Sequence, residues 1–242
     1  PAGQSKPRPM TGFVVEALVL CYHGGSTNEK AKPQMHPNPV FRNEAHERNL
    51  AFARQRSFGV LALNAKEGPL LSHIPFRLSG DGTSLEAHLV RSNPIVRLLA
   101  EPQPAVIAVS GADGYISPDW YDLENQVPTW NYVAVHLRGV LQLMPQDELH
   151  GVLDRLSASM ETRLLPKKPW TSSKMDQQVY ERMQRQIVPV SMAVHAIDAT
   201  WKLSQNKPDA ARIGAAKGVR AAAMDAASHV LAELMDEAQS GH

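Results

Sequence analysis

Four short stretches carry the residue types that could hold or transform a ligand. Ser72-His73-Ile74-Pro75-Phe76 sets a hydroxyl beside an imidazole within an apolar run. His88-Leu89-Val90-Arg91-Ser92-Asn93-Pro94 ends a second apolar run on a guanidinium, a hydroxyl and an amide. A helix is expected to start there, so an anion could use the Arg91 fork, the Ser92 hydroxyl and the free N–H groups of the helix start. Val127-Pro128-Thr129-Trp130-Asn131-Tyr132 and Trp201-Lys202-Leu203-Ser204-Gln205-Asn206 add amides, an ammonium and two indoles.

Each stretch also has an ordinary reading. Ser72 and His73 suit exposed positions of a half-buried strand, and Arg91-Ser92-Asn93 suits a helix cap beside a solvated arginine. Trp130 and Trp201 suit a core or an interface, and Asn131 and Asn206 suit turns. Taken together, the four supply basic groups for a phosphate, amides for a ring edge and aromatics for a flat face. A flavin requires that combination.

Other chemistries lack their residues. There is no G-x-G-x-x-G after a strand, no G-x-x-x-x-G-K-[ST], no H-E-x-x-H and no G-x-S-x-G. The ten histidines include no i, i+4 pair, and no carboxylate pair stands out for acid–base work. With one cysteine, Cys21, neither a disulfide nor a cysteine-built zinc site can form within the chain. No catalytic side chain and no metal ligand is assigned.

The elements that must position these residues follow from periodicity. Residues 43–57 read as a helix with Asn43 as N-cap. Runs 58–63, 70–78 and 84–90 are then separated by Ala65-Lys66-Glu67-Gly68 and Gly80-Asp81-Gly82, which is turn chemistry between antiparallel strands. A short helix is expected at 94–100 and a strand at 105–110. Period two places Val133, Val135 and Leu137 on one face, with Gly139 permitting a bend or bulge. It also places Val188, Val190, Met192, Val194 and Ala196 on one face. Leu149, Val152, Leu153, Leu156 and Met160 make a helical stripe, and Val219, Ala223, Ala226, Val230 and Leu234 make another. The fold class is α+β or mainly β, a barrel with flanking helices and a helical C-terminal region.

Composition bounds the rest. The chain has 242 residues, 43% hydrophobic and 20% charged, with a net charge of +1, so no global field draws nucleic acid or an anionic membrane. Phe13–Tyr22, interrupted by Glu16, is too short to span a bilayer. Residues 1–34 are rich in Pro, Gly, Ser and Lys and are expected to be a flexible extension, with Met35 opening the domain over 35–242. A cytoplasmic protein is expected.

The order of the four stretches, preceded by Met35-His36-Pro37-Asn38-Pro39-Val40-Phe41, resembles the PaiB family. Its members are FMN-binding proteins described as negative transcriptional regulators. The resemblance covers roughly residues 35–235, with His36 standing where the family usually has an aromatic. It implies an FMN-binding split barrel working as a homodimer, with the flavin at the subunit interface. By motif position, Arg91, Ser92 and Asn93 hold the phosphate, with His88 in the same group. The strand through Ser72, His73, Ile74 and Pro75 runs along the ring. Thr129, Trp130, Asn131, Lys202 and Gln205 close the site, with the partner subunit as one source.

The resemblance implies a repressor. A flavin-dependent oxidoreductase or flavin reductase fed by a nicotinamide is the alternative, and haem held by His73, His88 or His136 is a third. DNA is a candidate partner, for which Arg163–Lys174 around Trp170 is the best local basic stretch, and a solvated loop explains that stretch equally well.

Overall fold

A computed structural model describes residues 35–239. The expected extension over 1–34, the Phe13–Tyr22 run and Cys21 lie outside the described residues. Six antiparallel strands close into a barrel in the order β1-β2-β3-β6-β5-β4. They are β1 (Phe58–Ala65), β2 (Gly68–Leu78), β3 (Ser84–Val90), β4 (Gln103–Ile116), β5 (Thr129–Leu143) and β6 (Ile187–Lys202). Helices α1 (His46–Arg56), α2 (Pro94–Leu98), α3 (Leu149–Glu161), α4 (Gln177–Gln184), α5 (Asp209–Ala222) and α6 (Ser228–Glu237) surround them.

The turns form where the sequence places turn chemistry. Ala65 pairs with Gly68, so Lys66 and Glu67 make a two-residue hairpin, with Gly68 at φ 120°. In the β2–β3 turn, Asp81 accepts from the Ser79 hydroxyl at 2.5 Å, from Thr83 N–H at 3.1 Å and from the Thr83 hydroxyl at 2.8 Å. Those bonds, Ser79 first, hold its carboxyl down at about 2. Gly82 sits at φ 75° against Leu50, where no Cβ fits.

Alternation then builds the core. Leu61, Phe76, Leu85, Ile107, Leu137 and Met192 point inward with essentially no exposed surface. Each such side chain contributes roughly 1.5–3 kcal/mol by leaving water. Val133, Val135 and Leu137 share that face as expected.

Three expectations are corrected. On β6 the face changes midway: Val188, Val190 and Met192 are buried, but Ala196 is exposed while Ala199 and Trp201 turn inward. Gly139 pairs with Val194 and Arg138 with Ala196, so His195 is an extra residue, and one extra residue reverses every side chain beyond it. The close approach is at Gly139, where a Cβ would overlap the Ala193 carbonyl oxygen. Asn43 does not cap α1; Ala45 stands at the N-cap, and the Glu44 carboxylate accepts from Ala45 N–H at 3.1 Å. The C-terminal stripe is broken at Ala223, whose left-handed φ of 44° ends α5 before α6 folds back on it.

Candidate functional site

The first two stretches meet at a gap in the barrel wall. β2 pairs with β1 from Gly68 to Pro75, but with β3 only over Phe76–Leu78. Among the described residues, the segment from Leu70 to Pro75 therefore has no strand partner on its β3 side. Phe76 N–H donates to Ser57 O on the other side at 3.0 Å. Strand alternation then aims the backbone groups of Leu71 and His73 at the open edge. Ser72 and Ile74 share the inward face with Leu61, and Ile74 is core. His73 and Pro75 face outward beside Val60 and Phe58, with the His73 and Phe58 rings 6.3 Å apart.

Asn93 closes one end of this gap. Its Oδ1 accepts from Ile95 N–H at 3.0 Å, capping α2, while its Nδ2 donates to Ser72 Oγ at 3.0 Å. Ser92 is exposed beside it. Arg91 leans the other way. Its Nε donates to Arg185 O at 2.9 Å, and its Nη2 to Gln146 Oε1 at 2.9 Å and Ile187 O at 3.1 Å. Arg91 thus ties the end of β3 to the entry of β6, leaving Nη1 without a partner among the described residues. His88 shares the outward face of β3 with Glu86, which Arg155 of α3 grips through two hydrogen bonds of 2.9 and 2.7 Å. Burial lowers the His88 pKa, and its Nδ1 has no partner among the described residues.

The other two stretches gather at the far end of β6. From Ile187 to Lys202 that strand has 16 residues, about 50 Å of extended chain. There Lys202 Nζ donates to Thr129 Oγ1, and Asn131 Nδ2 donates to Ser204 Oγ at 2.8 Å. Gln205 spends its amide on its own turn, accepting from Leu203 N–H at 2.8 Å and donating to Trp201 O at 2.6 Å. The two indoles have opposite surroundings. Trp201 is buried, donates to Asn49 Oδ1 at 2.7 Å and lies under the Arg48 guanidinium. Trp130 is 53% exposed. Thr129, Asn131 and Lys202 line a cavity of about 380 Å³ that contains none of the Ser72–Asn93 residues.

Between the two ends runs a half-buried outer face. Register carries it from His73 to Val60 on β1, Ala108 on β4, His136 on β5 and Asp198 on β6. It is apolar at its β1–β2 side, where Phe58 is 48% and Leu71 62% exposed. On β5 it carries His136 and Arg138, with Arg138 Nη2 3.8 Å from Asp198 Oδ2. His136 Nδ1 and Arg138 Nε are buried without partners among the described residues. Burial, then the Arg138 charge, lowers the His136 pKa, and Asp198 opposes them. The sequence reading missed the Arg138–Asp198 pair, although the polar positions of V-A-V-H-L-R alternate with its core positions.

Among the described residues no group of three His, Cys, Asp or Glu side chains could hold a metal, and no helix is long and apolar enough to cross a membrane. In the basic loop, Arg163 donates to Arg54 O and Gln55 O, Lys167 pairs with Glu161 at 2.5 Å, and Lys174 donates to Pro169 O.

Three comparisons bear on this arrangement. Residues 35–196 match the family described as "Putative FMN-binding domain". The chain is similar to protease synthase and sporulation protein PAI 2 of Bacillus subtilis, 31% identical over 64% of this chain and 75% of that one. An uncharacterized protein of Emericella nidulans is 24% identical over 72% of this chain and 85% of its own. Among solved structures, an FAD and heme binding protein from Mycobacterium smegmatis aligns with a TM-score of 0.49, 19% identity, and coverage of 67% and 73%. The chain belongs to the FMN-binding domain family shared with PaiB, whose cofactor is FMN.

Proposed function

We propose that the chain binds FMN between two copies of itself, along the unpaired edge of β2. The observation that carries this reading is that edge, beside the Asn93–Ser72 bond. A flavin's ring edge offers alternating donors and acceptors, which the open backbone groups of Leu71 and His73 match. Ser92, the free Nη1 of Arg91 and the Asn93–Ser72 pair lie where the strand ends and suit the phosphate. Ser72, Ile74 and Pro75 shape the strand that the ring follows, and His88 stands behind it on β3. The residues present therefore fit the cofactor.

What one chain leaves undone supports the dimer. The outer face runs from the β2 edge across β1 and β4 with Phe58, Val60, Leu71, Val106 and Ala108 outward, an apolar surface suited to a second copy. The second group of residues gathers around a cavity that includes none of the Ser72–Asn93 residues, so a second copy is the source of an aromatic to close over the flavin. An antiparallel partner brings its exposed Trp130 to that position.

When bound, FMN supplies hydride and single-electron chemistry. This chain's residues bind and orient it, and no acid or base is needed from them. A small-molecule oxidoreductase is the output this geometry favours, because three cations of the basic loop are engaged by the chain's own groups rather than arrayed for phosphates. A PaiB-like repressor is the second reading, supported by the likeness to the Bacillus subtilis protein. Adding NADH or NADPH to the flavin-loaded protein without oxygen separates them. Bleaching of the visible flavin band supports the oxidoreductase. An unbleached flavin, together with a DNA mobility shift that weakens steeply with salt, overturns it in favour of the repressor.

A further inference from the structure

At the end of β5 and β6 remote from Arg91, the cavity of about 380 Å³ lies between the strand ends, the Pro39–Phe41 turn and the loop that enters β5. Its wall includes His36, Lys202 and Lys207 and, among the described residues, no carboxylate.

The hydrogen bonds show what these groups still offer. Lys202 spends one of three donors on Thr129 Oγ1, and the Thr129 hydroxyl, accepting there, keeps its own O–H to give. Lys207 donates to Gln126 Oε1 and lies 5.4 Å from the Tyr121 ring centre. His36 Nδ1 accepts from Asn38 N–H at 3.1 Å, so a neutral His36 carries its proton on Nε2 and is a second donor. Burial, then the Lys207 charge, lowers the Lys202 pKa, a repulsion that a bound anion relieves.

Asn131 is fully buried, and its Nδ2 is used by Ser204 Oγ at 2.8 Å and Met235 Sδ at 3.4 Å. Its Oδ1 has no partner among the described residues. Ser204, at φ 68°, is itself held from the other side by the Tyr121 hydroxyl at 2.8 Å. The amide is therefore fixed in place in the cavity wall.

We propose that this cavity binds a small phosphate monoester. Lysine ammoniums and a hydroxyl suit a compact tetrahedral anion, whereas a flat carboxylate is better matched by an arginine fork. The volume is at the small end for a ligand site. The cavity is whole within one chain, so this site does not depend on the proposed dimer.

Inorganic phosphate titrated calorimetrically into the FMN-saturated full chain tests the proposal. Saturable binding is expected, weakened at least tenfold by Lys202→Gln and restored by Lys202→Arg. Phosphate should also shield Lys202 and Lys207 of the unaltered chain from acetic anhydride while the exposed Lys168 stays reactive, which decides the matter should a variant not fold. Absence of saturable binding, binding untouched by Lys202→Gln, or displacement of phosphate by FMN overturns it. Should the chain take up no FMN, the flavin reading falls alone, and the same titration and shielding on the flavin-free chain still judge the cavity.

Discussion

Asn93 joins the start of α2 to the open edge of β2, accepting from Ile95 N–H and donating to Ser72 Oγ, both at 3.0 Å. One side chain thus fixes a helix end and a strand that share no backbone pairing. Asn93→Asp keeps the capping acceptor and loses the donor, so helix stability should persist while FMN affinity falls at least tenfold beside a new negative charge. Asn93→Ala loses both and should cost a further ~1 kcal/mol, read by urea unfolding.

Arg91 braces β6 through Nε and Nη2, and in the proposed site its Nη1 meets the phosphate. Arg91→Ala should weaken FMN binding by roughly ten- to hundredfold in calorimetry. A variant that unfolds at lower urea but binds FMN as before would reduce Arg91 to a brace.

Trp130 is an exposed indole, which in the proposed dimer meets the partner's flavin. Removing an aromatic contact of this kind is worth about 0.5–1.5 kcal/mol, so Trp130→Ala should weaken FMN by roughly two- to tenfold. Flavin fluorescence, quenched by a nearby indole, should brighten in the same variant. Unchanged fluorescence and affinity would remove Trp130 from the site.

Gly139 admits the β6 bulge because a Cβ there would overlap Ala193 O. Gly139→Ala should destabilise the barrel by about 1–3 kcal/mol in urea unfolding, the usual cost of overpacking. An unchanged midpoint would contradict the bulge.

His36, His88 and His136 all have folded pKa values below the ordinary 6.5, burial being the first cause in each. The unfolded chain then binds protons more readily than the folded one. Stability is fully present above about 6.5 and is lost as pH falls through that value toward the lower folded values. Urea midpoints should drop across that window, and His88→Gln should flatten the drop. A midpoint that rises on acidification would contradict the burial of these rings.

Local chemistry made much of this fold legible. The Lys66-Glu67-Gly68 and Gly80-Asp81-Gly82 turns, the Leu149–Met160 stripe and the Asn93 boundary each depend on neighbours in sequence. What escaped depends on distant partners. Trp130 and Trp201 read alike in sequence, but only Trp201 meets Asn49. The phase change at His195 arises from pairing with Gly139. The Lys202 cavity draws His36, Tyr121 and Lys207 from three separate segments, and no local spacing announces it.

Flavin between two copies is the central claim, and sedimentation followed at both the protein and the visible flavin absorbance tests it most directly. The account predicts that the flavin band travels with a species of two chains, and that Trp130→Ala and Asn93→Asp each release flavin. Flavin travelling with a single chain, or a colourless protein that ignores added FMN, would contradict it.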